Sequence, residues 1–147
     1  MMQSATAIQL PFWQAPQDPL VVAVFKNTCR VFFALWDYDG NQIPHCLGKV
    51  TFTQSWASKT LSTDFLPYLP NFHKFHSYLL EVEDSDWLAA ESQNRLETYP
   101  TWRDWDKATY HHYVMEGADS YLEVLAVGFT AEMATAEECR QYAFLLD

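Results

Sequence analysis

Residues 108–130, ATYHHYVMEGADSYLEVLAVGFT, constrain the fold more than any other stretch of the chain. Two runs rich in aromatic and β-branched residues flank a Glu-Gly-Ala-Asp-Ser joint, which is the pattern of a β-hairpin. Both runs are too apolar for an open surface, so the remainder of the chain must cover them. A β-rich domain with a defined core follows. Its length of 147 residues fits one domain and allows roughly 70% of the unfolded surface to be buried without a metal or a disulfide. Aromatic residues make up 16% of the chain, a content that argues against disorder.

Other elements read from the same local rules. Residues 1–19 carry Pro11, Pro16 and Pro19 and read as an extended N-terminal arm pinned by Phe12 and Trp13, with residues 20–147 forming a single α+β domain. Leu20–Phe25 and Arg30–Asp37 read as strands around a turn at Lys26-Asn27-Thr28. In the second of them Val31, Phe33 and Leu35 share one face and Phe32, Ala34 and Trp36 the other, so it is expected to be central and covered on both sides. Asp39-Gly40 suggests a type I′ hairpin into Leu47–Trp56, where Lys49, Thr51 and Thr53 mark a wet face. A short strand is expected at Lys59–Ser62, a loop at Asp64–Phe75 and a strand at His76–Glu83. Asp84 or Ser85 caps a helix over Asp86–Glu97 that Pro100 ends. Thr135 and Glu138 form a capping box for a last helix, Ala136–Leu146, that turns Cys139, Ala143 and Leu146 inward. The expected fold is α+β: a strongly twisted antiparallel sheet of five to seven strands, open or partly closed, with one mid-chain and one C-terminal helix.

Charge narrows the classes of partner. The net charge is −10, and from residue 108 onward seven acids (Glu116, Asp119, Glu123, Glu132, Glu137, Glu138, Asp147) face Arg140 alone. Such a surface repels phosphate backbones and anionic lipid heads, so neither nucleic acid nor membrane is an expected partner. The acidity either keeps the protein soluble or attracts a basic partner. Cys29, Cys46 and Cys139 form no disulfide framework, the N-terminus has no basic and apolar leader pattern, and no run of about 18 apolar residues occurs. These features point to a cytoplasmic protein with reduced thiols.

Candidate chemistry is sparse. Glu123 lies in YLEVLAV on the face of Tyr121 and Leu125. If that face is buried, the carboxylate needs a cation or donors, and His112 or Arg30 is the expected partner. Glu123 and His112 are therefore the candidate catalytic pair, read either as a general base or as a structural ion pair. Tyr99, Trp102 and Trp105 suggest an aromatic platform for a sugar or a peptide, or else a lid over the core; with Arg30 they make up the candidate ligand-binding set. His73 and His76 in FHKFH offer two ligands of a zinc site if that segment is a helical turn, completed by Cys46 or Glu116. Glu81 and Glu83 share a strand face beside the Asp84/Asp86 helix start, where acids are favoured electrostatically. The DYDGN run fails the calcium-loop pattern, because Gln42 and Gly48 stand where that loop needs Gly and Glu. No nucleophile elbow and no phosphate-cradling loop is present, and no cofactor is expected.

The functional expectation is a non-catalytic cytosolic binding or interaction protein. Its partner is another protein of basic character, or a second copy of the chain. The alternative is a small enzyme or ligand carrier with a pocket in the curved sheet built on Glu123 and His112.

Overall fold

The strands divide between two sheets packed face to face. The computed structural model describes residues 3–15, 18–62, 66–71 and 79–146. Along the chain it contains β1 (Gln3–Ala7), β2 (Trp13–Gln14), β3 (Val21–Phe25), β4 (Thr28–Trp36), β5 (Gln42–Thr53), β6 (Ala57–Leu61), β7 (Tyr68–Asn71), β8 (Leu79–Val82), α1 (Asp86–Thr98), α2 (Trp102–Trp105), β9 (His111–Gly117), β10 (Ser120–Ala126), β11 (Gly128–Met133), α3 (Ala136–Gln141) and a closing 3-10 turn, Ala143–Leu145. The first sheet runs β6-β10-β9-β8-β1-β7 and the second β11-β5-β4-β2, with β3 also on β4. Pairing is antiparallel except for β1 with β7. The α+β class, the antiparallel sheets and the mid-chain and C-terminal helices agree with the sequence pattern.

The hairpin at the heart of the sequence is β9 and β10, joined by Ala118-Asp119. Its second strand stops at Ala126. After Val127 the chain crosses over, and Gly128–Met133 pairs with β5 in the other sheet. The apolar run through Thr130 thus serves two sheets rather than one strand. Between the sheets lie Val31, Phe33 and Leu35 of β4, Val50 and Phe52 of β5, Tyr113 and Met115 of β9, and Leu122 and Val124 of β10. Phe52 and Tyr113 meet across this layer with ring centroids 5.3 Å apart. β4 is covered on both sides as its pattern demands: Phe32 points the other way, beneath Tyr142 at 4.5 Å and beside Leu47 and Leu145.

Several local expectations are revised. The Asp39-Gly40 turn is a five-residue loop, Asp37–Asn41, closed by the Trp36–Gln42 pair and not a type I′ hairpin. Asp37 Oδ1 accepts from the N–H groups of Asp39 and Asn41, so a side chain organises the loop, and Gly40 takes the positive φ of 81°. The wet face of β5 is dry at Lys49, which is buried with its ammonium on Glu138 at 2.9 Å and Glu132 at 3.4 Å. The segment expected as a loop contributes β7. The irregular stretch after Pro100 contains α2. The last helix ends at Gln141, and Leu145 of the 3-10 turn is the residue it buries most deeply.

The first sheet is curled into a half-barrel, and one contact requires it. Tyr68 of β7 hydrogen-bonds Glu123 of β10. Four strand spacings separate β7 from β10 in the sheet order, about 19 Å if the sheet were flat. No tyrosine side chain spans that distance, so the sheet bends until its far strands meet. Inside the curl sit Ala5, Tyr68, Leu80, Val82, Val114 and Tyr121, with the start of α1 over them.

Candidate functional site

The inner face of the curl holds a buried carboxylate. Alternation along β10 places Glu123 on the face of Tyr121 and Leu125, as the sequence implies, and only 2% of it is exposed. Its Oε1 accepts from His112 Nε2 at 2.8 Å and from the Tyr68 hydroxyl. Its Oε2 faces Lys59 Nζ at 3.5 Å, because the β10–β6 register sets Glu123 opposite Lys59. Burial opposes the charge, but the hydrogen bonds from His112 and Tyr68 and the Lys59 ammonium outweigh it and hold the carboxyl below its usual range. The same burial, with the carboxylate alongside, pushes the Tyr68 phenol well above its usual value.

The chain of contacts continues to α1. His112 Nδ1 lies 2.6 Å from Ser85 Oγ, and Ser85 Oγ accepts from the Leu88 N–H at 3.0 Å as the helix cap. In the tautomer that donates Nε2–H to Glu123, Nδ1 is an acceptor for a hydrogen bond from the Ser85 hydroxyl. Trp87 packs edge-on against the His112 ring at 5.1 Å, and Lys59 stacks over Trp87 at 4.3 Å. Among the described residues no buried side-chain polar atom lacks a partner. The group as a whole anchors the α1 cap to the floor of the curled sheet. It also has the connectivity of a hydroxyl, an imidazole and a carboxylate in series.

A second cluster forms where α1 and α2 meet the sheet edge. The Arg95 guanidinium lies over the rings of Trp102 at 4.4 Å, Trp56 at 4.8 Å and Trp105 at 5.0 Å. It donates to Asp106 at 2.9 Å. Asp106 also accepts from the Tyr110 hydroxyl at 2.8 Å and the Ala108 N–H at 3.0 Å. Burial works against its ionisation, yet these three donors keep its carboxyl below the ordinary range. Trp102 is buried, with its ring 6.0 Å from that of Trp56. Tyr99 and Trp105 stay 58% and 61% exposed, edge to face at 6.4 Å. A cleft of about 400 Å³ opens beside them, walled by Trp56, Trp105 and Tyr110 with Gln54, Arg95 and Asp106.

The sequence-derived candidates thus separate into distinct places. Glu123 and His112 are in direct contact. Arg30 is remote from them: it sits on β4 of the other sheet, exposed and opposite Ala23 and Thr51, and Lys59 supplies the cation in its stead. Tyr99, Trp102 and Trp105 share one cluster. His73 and His76 lie outside the described residues. Among the described residues no three His, Cys, Asp or Glu side chains converge as a metal site. Glu81 and Glu83 line a separate cleft of about 270 Å³ with Thr6 and Ile8, where Glu81 pairs with His111 Nδ1 at 2.9 Å. Sequence reasoning did not connect Tyr68, Lys59 and Ser85 with Glu123, or Trp56, Arg95 and Asp106 with the tryptophan pair. Ser85 was visible as a cap and Tyr68 fell in a segment read as a loop, and their partners come from distant segments.

Comparison of the chain with protein-family models, curated proteins and solved structures finds no match. Among the described residues no helix is long and apolar enough to cross a membrane.

Proposed function

We propose that the protein is a non-catalytic binding protein that docks a basic segment of another protein on the Tyr99–Trp105 surface. The observation that carries this reading is the pair of solvent-facing rings held edge to face, with exposed Glu97 and Asp104 beside them in the chain. Arginine and lysine side chains stack on such faces, with about 0.5–1 kcal/mol gained at an exposed ring and about 2 when water is displaced. The underlying Arg95–Asp106–Tyr110 group fixes the platform, which lowers the ordering cost of binding. Net charge of −10 adds long-range attraction for a basic partner. The free Cys29, Cys46 and Cys139 support a reducing, cytoplasmic setting.

The test titrates the protein with fluorescent Arg- and Lys-rich peptides and with a Glu-rich control. Binding of the basic probes that weakens with salt and drops about tenfold in Trp105→Ala supports the reading, a loss equal to about 1.4 kcal/mol. No binding of the basic probes, or binding indifferent to Trp105, overturns it. A response to neutral saccharides in place of peptides reassigns the same surface to sugars.

The Ser85–His112–Glu123 series favours one other reading, a small hydrolase or ligand carrier. Labelling of Ser85 by a fluorophosphonate, abolished by Ser85→Ala, is its expected signature. A protein that stays unlabelled while folded removes it.

A further inference from the structure

β3 ends the second sheet with an unprotected edge. The stretch Leu20–Phe25, LVVAVF, contains no charge and no proline. Natural edge strands are normally blunted by charge, proline, a bulge or a covering segment, because their free backbone groups template pairing with another chain. Lys26 at the hairpin tip is the nearest charge on the C-terminal side and Asp18 on the N-terminal side.

The register identifies which backbone groups are free. The two-residue turn Lys26-Asn27 is closed by Phe25 and Thr28, with Ala23 opposite Arg30 and Val21 opposite Phe32. Hydrogen-bonded pairs alternate along an antiparallel ladder, so those three pairs exchange N–H and C=O bonds. Val22 and Val24 aim their N–H and C=O away from β4. Among the described residues no strand lies on that side and no hydrogen bond takes those groups. The side chains at the end of the strand are also uncovered: Val24 is 55% and Phe25 69% exposed. On the outer face Val21 and Ala23 lie against the Phe32 and Leu145 layer. Exposed Phe144 stands against Tyr142 of that same layer.

We infer that β3 pairs antiparallel with β3 of a second copy of this chain, about a two-fold axis at Ala23. In that register Val22 of each copy faces Val24 of the other, and the two residues exchange both backbone bonds that the monomer leaves open. Phe25 of one copy then covers Val21 of the other on the outer face. Lys26 falls opposite Leu20 of the second copy and diagonal to its Asp18, within reach of a lysine side chain. A continuous sheet of ten strands results from the two five-stranded sheets. This favours a second copy over an unrelated strand, because the charge match between Lys26 and Asp18 is self-complementary under a two-fold axis. The contact is small for a stable interface, so the dimer is concentration-dependent.

Sedimentation equilibrium of the full chain across about 1–100 µM tests the inference, a span that brackets micromolar dissociation constants. A mass rising toward twice 17.1 kDa is expected for the wild type. Val24→Pro removes only an outward N–H, whereas Ala23→Pro removes one used inside the monomer. Val24→Pro is therefore expected to remain monomeric at every concentration while keeping the wild-type circular dichroism spectrum. Phe25→Lys, which leaves the backbone intact, is expected to weaken the dimer at least tenfold. A wild type that stays monomeric throughout, a dimer that survives in a folded Val24→Pro chain, or a folded Phe25→Lys chain that dimerises as tightly as the wild type overturns the inference.

Discussion

Replacing Glu123 by Gln tests what holds the curled sheet together. The substitution keeps the shape and one acceptor oxygen but removes the charge. Glu123 receives two charge-assisted bonds, from His112 and Tyr68, each worth about 1.5–3 kcal/mol. A glutamine oxygen in the place of Oε1 keeps both partners, but only at neutral strength, and turns an N–H₂ toward the Lys59 ammonium. The net loss is about 2–4 kcal/mol, with no share assigned to the half-exposed Lys59. A domain of this size has about 5–15 kcal/mol of stability, so the variant folds. The assay is urea unfolding at pH 7 and at steps into acid. Glu123 ionises below the ordinary range in the folded chain, whereas an unfolded glutamate binds its proton near pH 4.3. Its stabilisation is therefore complete above about pH 5 and is lost as the pH falls through the lower folded value. Glutamine does not titrate, so the gap between variant and wild type is expected to close in acid. A gap below about 0.5 kcal/mol at pH 7, or one that persists unchanged into acid, would refute the role given to the carboxylate.

Three further outcomes follow from particular contacts. A Cβ at Gly48 would stand 2.4 Å from Phe33 Cε2 and 2.9 Å from Leu35 Cδ2, so Gly48→Ala is expected to cost about 1–3 kcal/mol in urea unfolding. Asp106→Ala leaves the Tyr110 hydroxyl and Arg95 without their acceptor, and about 2–4 kcal/mol should be lost together with the near-ultraviolet tryptophan signal of the Trp56–Trp102 cluster. Burial pushes the Cys29 thiol up to about 11, so in a native thiol-reagent titration at pH 8 Cys29 should stay unmodified until the chain unfolds, while half-buried Cys46 and Cys139 react first.

What the sequence disclosed was local. Ser85 and Asp86 mark the start of α1, Thr135 and Glu138 close a capping box, and the double apolar face of β4 requires cover on both sides, all from neighbouring residues. The β9–β10 hairpin follows from two aromatic and β-branched runs around the Glu-Gly-Ala-Asp-Ser joint, of which the structure leaves only Ala118-Asp119 outside the strands. The division into two sheets was not legible, because Val127-Gly128 carries no break in hydrophobicity where the chain crosses between them. The burial of Glu123 could be inferred from its apolar neighbours on one strand face. Its ring of partners could not, since Tyr68, Lys59 and Ser85 arrive only when the sheet curls. Arg30 was a plausible cation by composition alone, and strand order sends it to the opposite sheet. Lys49 read as wet because α3, which covers it with Glu138, lies far along the chain.

The most direct measurement compares Glu123→Gln with Trp105→Ala in calorimetric titration against one Arg-rich peptide at low salt. On the proposal that the buried carboxylate holds the fold and the exposed ring takes the partner, the folded Glu123→Gln chain should bind like the wild type and Trp105→Ala about tenfold more weakly. Loss of binding in folded Glu123→Gln, with Trp105→Ala unaffected, would move the site into the half-barrel and contradict that division of roles.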